Sequence, residues 1–438
     1  MKIMKFGGTS IGSPERMKAL IPLINGSEKK IVVLSAMSGT TNSLVEISEL
    51  FYAGLKDEAL QKNKQLHEKY RTTVDELYST EKFKKIGHEL INSHFELIES
   101  LSLKTFTNLH EKIILAQGEL ISTALVHNLL QEKNESVALI PALNFMRIDK
   151  DEEPDYSYIE EKLKKELKKC SANIIITQGF ICLNKNDEID NLKRGGSDFT
   201  ASIIGSVIDA SEIQIWTDID GIHNNDPRFV ENTQVIRELS FDEAAELAYF
   251  GAKILHPSSV NPARKKNIPV VLKNTLEPTD IGTLITSKSK FKDYKAVAAK
   301  DGISVIRIHS ARMLMAYGFL RKVFEIFETY KTPIDMITTS EVAVSITIDN
   351  SKHINKILKE LQELGTIEVE QDQTIICIVG DFRPERKGSA PEIFEALNAI
   401  PLKMISYGGS PLSISILIDT SNKIEALKQL SKHIFKQK

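Results

Sequence analysis

The chain has 438 residues, which exceeds one ordinary hydrophobic core and predicts two or three domains. Hydrophobic residues at 42%, charged residues at 26% and a net charge of −3 indicate a soluble globular protein, and they give no electrostatic reason to expect nucleic acid or a membrane as a partner. Three scattered cysteines without CxxC spacing indicate reduced thiols and argue against a disulfide framework or a zinc site.

The N-terminus runs into glycine before the apolar core of a signal peptide could form. We also expect no later apolar stretch that approaches the roughly 18 residues of a membrane span. These features predict a leaderless protein of the cytoplasm.

Residues 1–290 alternate short β-branched runs with longer helical segments, a pattern that predicts an α/β domain with a largely parallel sheet sandwiched by helices. Within this domain, residues 57–105 are charged and favour helix, so we predict a helical insertion over one face. The strand-like runs are Ile31–Leu34, Asn173–Thr177, Glu212–Thr217 and Pro269–Lys273.

After a polar stretch near residue 290 the sequence contains two similar blocks. Residues Pro333–Asp349 of the first block resemble Pro401–Asp419 of the second, and each of these segments lies between two predicted helices. The order β-α-β-β-α, with room for a closing strand, predicts a ferredoxin-like βαββαβ module present twice, over residues 294–370 and 371–438.

The first strand runs into Lys5-Phe6-Gly7-Gly8-Thr9-Ser10, and a helix is predicted to follow, with Ser13 as its N-cap and Pro14 in its first turn. Glycines allow the backbone to approach an anion, while N–H groups, the helix N-terminus and a lysine supply positive charge. The pattern favours a phosphate loop, although an ordinary turn has the same composition. It is neither a Walker A motif nor a GxGxxG loop.

A second strand runs into Ser35–Asn42, a turn rich in small hydroxyl residues and glycine, and ligands of parallel sheets bind beyond such strand ends. A capped turn without a ligand is the alternative. Gly118-Glu119 interrupts the apolar helical run Ile113–Leu130, where a buried glutamate without a partner would be costly. A carboxylate that faces a pocket would explain both residues, and so would simple exposure of Glu119.

Arg194-Gly195-Gly196-Ser197-Asp198 precedes the predicted helix Phe199–Val207 and combines an anion-binding arginine with a glycine turn. The alternative is that Ser197 and Asp198 only cap this helix. Two further segments are Ile215–Gly221, which ends a strand in a polar turn, and Phe250–Pro257, in which Lys253 either binds phosphate or extends from the surface.

Motifs of metallohydrolases and acyl-enzymes do not occur in the sequence, because it contains no HExxH, no GxSxG and no Cys/His grouping. The motifs that do occur all favour phosphate and carboxylate ligands.

The ordered set KFGGTS, the turn with Thr41, Gly118-Glu119, ITQGF, RGGSD, WTDIDG, DPR and FGAKILHP resembles the aspartate kinases of the amino acid kinase family. The resemblance covers nearly the whole chain, and the type that the chain resembles is the monofunctional, lysine-sensitive one. It implies an amino acid kinase fold followed by two ACT domains, with the first inserted into the second and Tyr294–Ala299 contributing a strand to the second.

The resemblance also implies an activity: ATP and L-aspartate give ADP and 4-phospho-L-aspartate, the first step towards lysine, threonine and methionine. It implies Lys5 and Asp198 as catalytic residues and Mg²⁺ bound with ATP, without a separate metal site. The ATP-binding residues would be Lys5, Gly7, Gly8, Thr9, Ser10, Thr217, Asp218, His223, Arg228 and Lys253. The aspartate-binding residues would be Thr41, Glu119, Arg194, Gly195, Gly196 and Ser197.

In this assignment Arg194 holds the α-carboxylate of aspartate and Glu119 holds its α-ammonium. His223 stands where many relatives carry tyrosine. The nucleophile is a carboxylate with a reference pKa of about 3.9, so it is ionised at neutral pH and needs no general base. We therefore expect catalysis by positioning and charge neutralisation.

The first ACT-like block would bind an amino-acid effector, which is lysine in the lysine-sensitive relatives, and the ACT domains would pair to give a homodimer or a dimer of dimers. Ala316 replaces a serine often found in relatives, which leaves threonine as an alternative effector. The effector residues would be Met313, Gly318, Phe319, Leu320, Asp335, Ser340 and Glu341. Alternatives to the whole assignment are another amino acid kinase and an amino-acid sensor with an inactive kinase domain.

Overall fold

The structure is a computed structural model, and it describes the whole chain except residues 193–194, 252–256, 291–293, 314–316, 386 and 436–438 and the side chain of residue 257. The chain divides into two compact units. The first comprises Met1–Gly221, Arg237–Phe241 and Leu255–Ser289, and the second comprises Ile222–Ile236, Asp242–Ile254 and Lys290–Lys438.

An eight-stranded sheet forms the centre of the first unit, in the order β3-β4-β2-β1-β7-β9-β10-β8. All neighbours in it are parallel except β9 and β10. The strands are β1 (Lys2–Phe6), β2 (Lys30–Leu34), β3 (Val137–Leu139), β4 (Ile174–Gln178), β7 (Glu212–Thr217), β8 (Glu238–Ser240), β9 (Val270–Asn274) and β10 (Thr283–Thr286), with β5 (Ile181–Leu183) and β6 (Ile189–Asn191) pairing as a separate hairpin. The predicted α/β class with a largely parallel sheet is confirmed.

Helices cover this sheet and form most of the segment 57–105. They are α1 (Pro14–Ile24), α2 (Thr40–Tyr52), α3 (Lys56–Leu77), α4 (Glu81–Ser100), α5 (Asn108–Glu132), α6 (Tyr156–Lys169), α7 (Gly196–Val207) and α9 (Asn261–Lys265). The helix between α7 and α9, α8 (Phe241–Tyr249), belongs to the second unit from Asp242 onward. Short 3₁₀ helices occur at Thr9–Ile11, Leu101–Leu103, Ala142–Asn144, Pro257–Val260, Ala311–Met313 and Thr420–Asn422. The predicted start of α1 is confirmed, since the Ser13 hydroxyl accepts a hydrogen bond from the Arg16 N–H at 3.3 Å and Pro14 is the first helical residue.

One of the described helices, α5, is long and apolar enough to cross a membrane by length and composition alone. Our expectation that no stretch would approach this length was therefore wrong. In the 18-residue stretch of α5 that is apolar enough, 67% of the residues are buried within the fold. α5 is a central helix, and its side chains Ile114, Leu125 and Leu129 are fully buried.

A six-stranded antiparallel sheet forms the centre of the second unit, in the order β12-β13-β11-β14-β16-β15. Its strands are β11 (Tyr294–His309), β12 (Ile337–Thr339), β13 (Ala343–Ile348), β14 (Thr366–Gly380), β15 (Met404–Ser406) and β16 (Ser413–Asp419), and its helices are α10 (Phe319–Thr329), α11 (Ile354–Leu361), α12 (Ser389–Ala396) and α13 (Lys423–Ile434).

The two halves of this sheet are related as the sequence repeat predicts. In the first half Asp335 N–H donates to Thr347 C=O, and in the second half Lys403 N–H donates to Leu417 C=O, both at 2.9 Å. Each half has its own core, built around Ile346 in the first and around Ile416 in the second. The start of β11 pairs with Ile375–Gly380, so one strand contributes to both halves.

Candidate active site

The carboxyl ends of β4, β2, β1 and β7 lie side by side at one edge of the first sheet. In the strand register Leu34 lies beside Phe6 and Gln178, and Phe6 also lies beside Trp216. Each strand end is followed at once by one of the motifs KFGGTS, SAMSGTT, ITQGF or WTDIDG. Ligands of parallel sheets bind beyond this edge, so the topology brings four separated motifs to one location.

Lys5 and Asp198 form an ion pair at this edge, with 2.7 Å between Lys5 Nζ and Asp198 Oδ1. Both side chains are mostly buried, at 12% and 15% exposure. α7 is instead capped by Gly195 in the left-handed conformation, without a side-chain hydrogen bond. Asp198 is therefore a partner of Lys5, and the alternative that it only caps α7 is wrong.

The loop after β1 approaches the turn after β2 very closely. Gly8 C=O accepts a hydrogen bond from the Ser38 N–H at 3.2 Å, and a Cβ at Gly8 would lie 2.9 Å from the Ala36 carbonyl oxygen. A side chain at position 8 would therefore separate the two loops. Lys5 Nζ lies above this loop, 3.5 Å from where a Cβ on Gly7 would stand.

Ser10 and Thr9 have local roles in the same loop. The Ser10 N–H donates to Gly7 C=O at 3.0 Å, and its buried hydroxyl contacts Trp216 C=O and Thr275 Oγ1 at 3.4 and 3.3 Å. Thr9 C=O accepts a hydrogen bond from the Arg16 guanidinium. The sequence did not single out Arg16, which adds a cation beside the loop.

A cavity of about 260 Å³ opens between the first two loops and α5. Gly8, Thr41 and Glu119, all predicted site residues, line it. The remaining lining residues are Ser35, Ala36, Met37, Ser38, Gly39, Leu115 and Phe180.

Glu119 lies at the inner wall of this cavity and is 3% exposed, so the alternative that it faces solvent is wrong. Oε2 accepts hydrogen bonds from the Gly179 and Phe180 N–H groups at 2.9 and 2.5 Å, and Oε1 accepts one from the Ser197 hydroxyl at 3.1 Å. Burial raises the pKa of Glu119 to about 7, although these hydrogen bonds and Lys5 act in the opposite direction.

The turn before α7 supplies Ser197, and its backbone requires glycine. Gly195 and Gly196 have φ values of +66° and +42°, which disfavour other residues. Ser197 is the middle of a chain of hydroxyl contacts: Ser35 Oγ donates to Ser197 Oγ at 2.8 Å, and Ser197 donates to Glu119. The sequence indicated a hydroxyl-rich turn at 35–42 but not that Ser35 would reach Glu119 through Ser197.

Gly179 is a position where a single methyl group should disturb the site. A Cβ at Gly179 would lie 2.3 Å from Ser197 Cβ and Oγ, so Gly179→Ala must displace Ser197 or the N–H that binds Glu119. We expect kcat/KM for aspartate to fall by about thirtyfold, which corresponds to about 2 kcal/mol. Steady-state kinetics on Gly179→Ala and Gly54→Ala measures this. A Cβ at Gly54 meets nothing within 4 Å, although its φ of +76° adds backbone strain. Equal losses in both variants would contradict the expectation.

The residues predicted around the nucleotide fall in both units. Thr217 and Asp218 follow β7 in the first unit, with a hydrogen bond of 3.2 Å from Thr217 Oγ1 to Asp218 Oδ1. His223 and Arg228 belong to the second unit, where His223 Nδ1 lies 2.7 Å from Thr233 Oγ1. The Arg228 guanidinium binds both carboxylate oxygens of Asp226. Arg194 and Lys253 lie outside the described residues.

Asp335, a predicted effector residue, is the centre of a charged cluster in the second unit. Its side chain is 1% exposed, and Oδ1 accepts hydrogen bonds from Lys300 Nζ at 2.7 Å and the Tyr249 hydroxyl at 2.8 Å. Lys300 also pairs with Asp349 at 2.9 Å. Burial raises the pKa of Asp335, while the two hydrogen bonds lower it. Oδ2 is buried and has no hydrogen-bond partner among the described residues.

The other predicted effector residues differ in burial and in position within the first module. Met313 and Phe319 pack against its core, Gly318 caps α10 with φ +80°, and Leu320 is partly exposed. Ser340 and Glu341 lie in the exposed turn between β12 and β13. Ala316, the noted departure from relatives, lies outside the described residues.

The second module has the opposite charge at the equivalent position. Lys403 replaces Asp335, and its ammonium pairs with Glu370 at 2.5 Å and lies 3.8 Å from Asp419. The Lys300, Asp335 and Asp349 cluster of the first module thus corresponds to Glu370, Lys403 and Asp419 in the second. Only the first module presents a buried carboxylate at this position.

The described residues contain no group of three or more His, Cys, Asp or Glu side chains that could hold a metal ion. All three cysteines are free, and Cys182 and Cys377 are buried.

The sequence matches two protein families along its length. Residues 1–274 match the amino acid kinase family, and residues 376–434 match an ACT domain. The lysine-sensitive aspartokinase 3 of Escherichia coli is 30% identical over 447 aligned residues, covering 99% of both chains.

Two crystal structures of Escherichia coli aspartokinase III superpose on the chain over 100% of both chains, at 30% identity. The complex with aspartate and ADP gives a TM-score of 0.84, and the complex with lysine and aspartate gives 0.80. The chain therefore belongs to the aspartokinases of the amino acid kinase family, the kinases whose phosphoryl acceptor is aspartate.

Proposed function

We propose that the cavity beside Lys5 binds aspartate and that phosphoryl transfer takes place at the carboxyl edge of the first sheet. A β-carboxylate oxygen of aspartate attacks the γ-phosphorus of ATP, the bond from that phosphorus to the bridging oxygen breaks, and ADP leaves. The attacking carboxylate is already ionised, so no proton is transferred in this step. The observation that carries this proposal is the Lys5–Asp198 ion pair beside a cavity that contains the buried carboxylate of Glu119.

Lys5 is the proposed source of positive charge for the transferring phosphoryl group. Its ammonium lies over the glycine loop, and Asp198 holds it there. Two anions must approach one another in this reaction, so a fixed cation stabilises the transition state more than the separated reactants. Asp198 therefore positions Lys5, and the backbone of Gly7, Gly8 and Thr9 lies beside the same phosphate.

The nucleotide would extend from this loop towards Thr217 and Asp218 at the end of β7. We propose that His223, Arg228 and Lys253 also contact the nucleotide, as the resemblance to aspartate kinases implies. Mg²⁺ would enter with ATP, because it keeps several waters and binds mainly through substrate phosphates and one or two carboxylates. The ion would add positive charge to the phosphates.

Aspartate would be held through its three charged groups. Glu119 has three hydrogen bonds from the protein, which leaves one of the roughly four lone-pair positions of a carboxylate for the substrate ammonium. Thr41, which lines the cavity, and the turn Gly195–Ser197 would contact the carboxylates, and Arg194 would hold the α-carboxylate.

A coupled assay tests this proposal directly. ATP, Mg²⁺, aspartate and hydroxylamine should yield ADP and aspartyl hydroxamate in equal amounts, since hydroxylamine traps the acyl phosphate. An inactive sensor would form neither product, and another amino acid kinase would prefer glutamate or N-acetylglutamate in the same assay.

We also propose that an amino acid, lysine in the first instance, inhibits the enzyme by binding the first ACT module. Asp335 Oδ2 is buried without a hydrogen-bond partner among the described residues, and an ammonium group would supply one. Lys403 at the equivalent position of the second module would repel the same group. This asymmetry favours one effector site per chain.

The expected result for Asp335→Asn is loss of inhibition, with the lysine concentration for half-inhibition rising at least about tenfold. The amide retains the size of the carboxylate but not its charge. Activity at increasing lysine and threonine concentrations provides the measurement, and Lys403→Met is the matched control in the second module. Unchanged inhibition in Asp335→Asn would show that the effector does not bind through this carboxylate.

We further propose a cytoplasmic homodimer or dimer of dimers, paired through the ACT domains, in the pathway to lysine, threonine and methionine. The domain boundaries 1–290, 294–370 and 371–438, with the insertion 57–105, remain part of this proposal. Size-exclusion chromatography with light scattering would measure the oligomeric state.

A further inference from the structure

The turn after β2 contacts the helical insertion through two consecutive residues of α3. The buried hydroxyl of Thr40 lies 2.9 Å from the hydroxyl of Tyr70, and the ammonium of Lys69 donates to the Ser38 carbonyl at 3.3 Å. Both partners belong to the segment 35–41, which supplies six of the residues that line the cavity. The insertion thus reaches the wall of the proposed aspartate site.

Tyr70 is rigidly placed for this contact. It is fully buried, its ring lies 5.7 Å from that of Phe95 on α4, and burial raises the pKa of its phenol, which stays protonated at neutral pH. Thr40 is 1% exposed, so no bulk water can replace the tyrosine hydroxyl as its partner.

The opposite side of the same turn packs against α5. A Cβ at Gly118 would lie 3.0 Å from Ala36 Cβ and 3.1 Å from Thr40 Cγ2, so the glycine allows α5 to approach the turn. Thr40 is therefore fixed between α5 and Tyr70. The next residue, Thr41, lines the cavity, and a shift of Thr40 would move it.

Lys69 adds charge beside two residues of the cavity wall. Its side chain is exposed, and Ser38 and Gly39 beside it line the cavity. Aspartate carries a net charge of −1 at neutral pH, so a cation at this place attracts it weakly through solvent.

We infer that Tyr70 and Lys69 are positioning residues for aspartate, so that the insertion forms part of the substrate site. The inference rests on the proposed assignment of the cavity to aspartate. Tyr70 and Lys69 would hold the conformation of residues 35–41, and these residues would bind the substrate and the transition state equally well. The variants should therefore change KM for aspartate more than kcat.

The experiment compares Tyr70→Phe with Tyr78→Phe. Tyr78 is the matched control, because it is also buried, follows α3 directly and donates its hydroxyl hydrogen bond to Leu125 C=O at 2.9 Å, a contact outside the turn. Tyr70→Phe should raise KM for aspartate about fivefold and leave kcat and KM for ATP within about twofold. Tyr78→Phe should leave all three values within about twofold.

A double-mutant cycle identifies the contact. If Tyr70 acts through Thr40, KM for aspartate in the double variant Thr40→Val, Tyr70→Phe should be about the same as in Thr40→Val alone. Lys69→Met should raise KM for aspartate about twofold at low salt, and Lys69→Arg should restore it. Lys62→Met is the control, because Lys62 lies on α3 like Lys69 but pairs with Glu46 of α2.

Unchanged KM for aspartate in Tyr70→Phe, additive effects in the cycle, or equal effects in Tyr70→Phe and Tyr78→Phe would each overturn the inference. The variant Glu119→Gln shows whether such a result overturns only the role of Tyr70 or also the assignment of the cavity to aspartate. If the cavity binds aspartate, Glu119→Gln raises KM for aspartate whatever Tyr70→Phe does. If Glu119→Gln has no effect either, the assignment of the cavity is itself wrong.

Discussion

Replacing Lys5 by alanine is expected to lower kcat by about a thousandfold, which corresponds to about 4 kcal/mol of transition-state stabilisation. KM for aspartate should change by less than about threefold, because the ammonium acts on the phosphoryl group and not on the amino acid. The reason is the placement of Lys5 Nζ, mostly buried, paired with Asp198 and lying over the glycine loop. Initial rates with ATP and aspartate varied in turn measure both constants.

Lys2→Ala is the matched control for this variant. Lys2 lies in the same strand, but its side chain is 41% exposed and it pairs with Glu28 at 3.1 Å, so we expect less than about a twofold change in kcat. Asp198→Asn should give an intermediate loss, since Lys5 keeps its charge but loses its ionic partner. A Lys5→Ala enzyme with unchanged kcat would contradict the catalytic role of Lys5.

The second large effect is expected at Glu119. In Glu119→Gln the amide keeps an acceptor towards the Gly179 and Phe180 N–H groups, but the charge that attracts the substrate ammonium is lost. We expect kcat/KM for aspartate to fall by about a hundredfold, or about 2.7 kcal/mol, as for loss of a buried ion pair. KM for ATP should stay within about threefold.

The pH dependence of kcat/KM for aspartate tests the same residue. The pKa of Glu119 in the free enzyme is about 7, and protonation removes the charge that binds the ammonium. The aspartate carboxylates titrate near pH 4 or below, and loss of the ammonium proton near or above pH 8 would lower kcat/KM on the opposite side of this range. We therefore expect kcat/KM to fall as the pH decreases through 7 in the wild type and to be flat in Glu119→Gln. A wild-type profile without this decrease would contradict the assignment.

The same raised pKa affects the stability of the free protein. The pKa of Glu119 in the folded protein is above its ordinary value of 4.5. As the pH rises, the Glu119 carboxyl therefore loses its proton at a lower pH in the unfolded state than in the folded state. This contribution to stability is complete below about pH 4.5 and is lost as the pH rises through about 7. Glu119→Gln should remove this part of the pH dependence, which thermal unfolding at a series of pH values would measure.

The parallel sheet and its motifs could be predicted from the sequence because they follow local rules. Four predicted strands lie within one residue of their observed bounds, and Glu212–Thr217 agrees at both ends. Strand ends of a parallel sheet meet at one edge, so the motifs that follow them had to converge. The resemblance supplied the roles of Lys5 and Glu119, and the structure supplied their distances.

Features that depend on contacts between distant segments could not be predicted. Whether Asp198 caps α7 or pairs with Lys5 depends on the position of β1. Lys5 of β1 precedes Asp198 by 193 residues, and the sequence around Asp198 does not indicate where β1 lies. The hydroxyl pair of Thr40 and Tyr70 and the cluster of Tyr249 with Asp335 join separate segments in the same way. Helix α5 has the composition of a membrane span because both of its faces are buried in protein.

The compact units do not follow the predicted domain boundary at every point. Residues 222–236 and 242–251 were predicted within the catalytic domain and fall within the amino acid kinase match over residues 1–274, and in the structure they cluster with the second unit. The buried ion pair of Glu243 with Lys295, at 2.7 Å and 2% exposure on each side, joins α8 to the start of β11. A partner 52 residues away determines this arrangement, and no local pattern signals it.

Phosphoryl transfer to aspartate is tested most directly by measuring the rates of ADP and hydroxamate formation together, with aspartate, glutamate and N-acetylglutamate in turn. We expect equal rates of the two products with aspartate, little product with the other acids, and about a thousandfold loss of both products in Lys5→Ala but not in Lys2→Ala. ADP formation that does not require aspartate, or a higher kcat/KM with another carboxylate, would contradict this expectation.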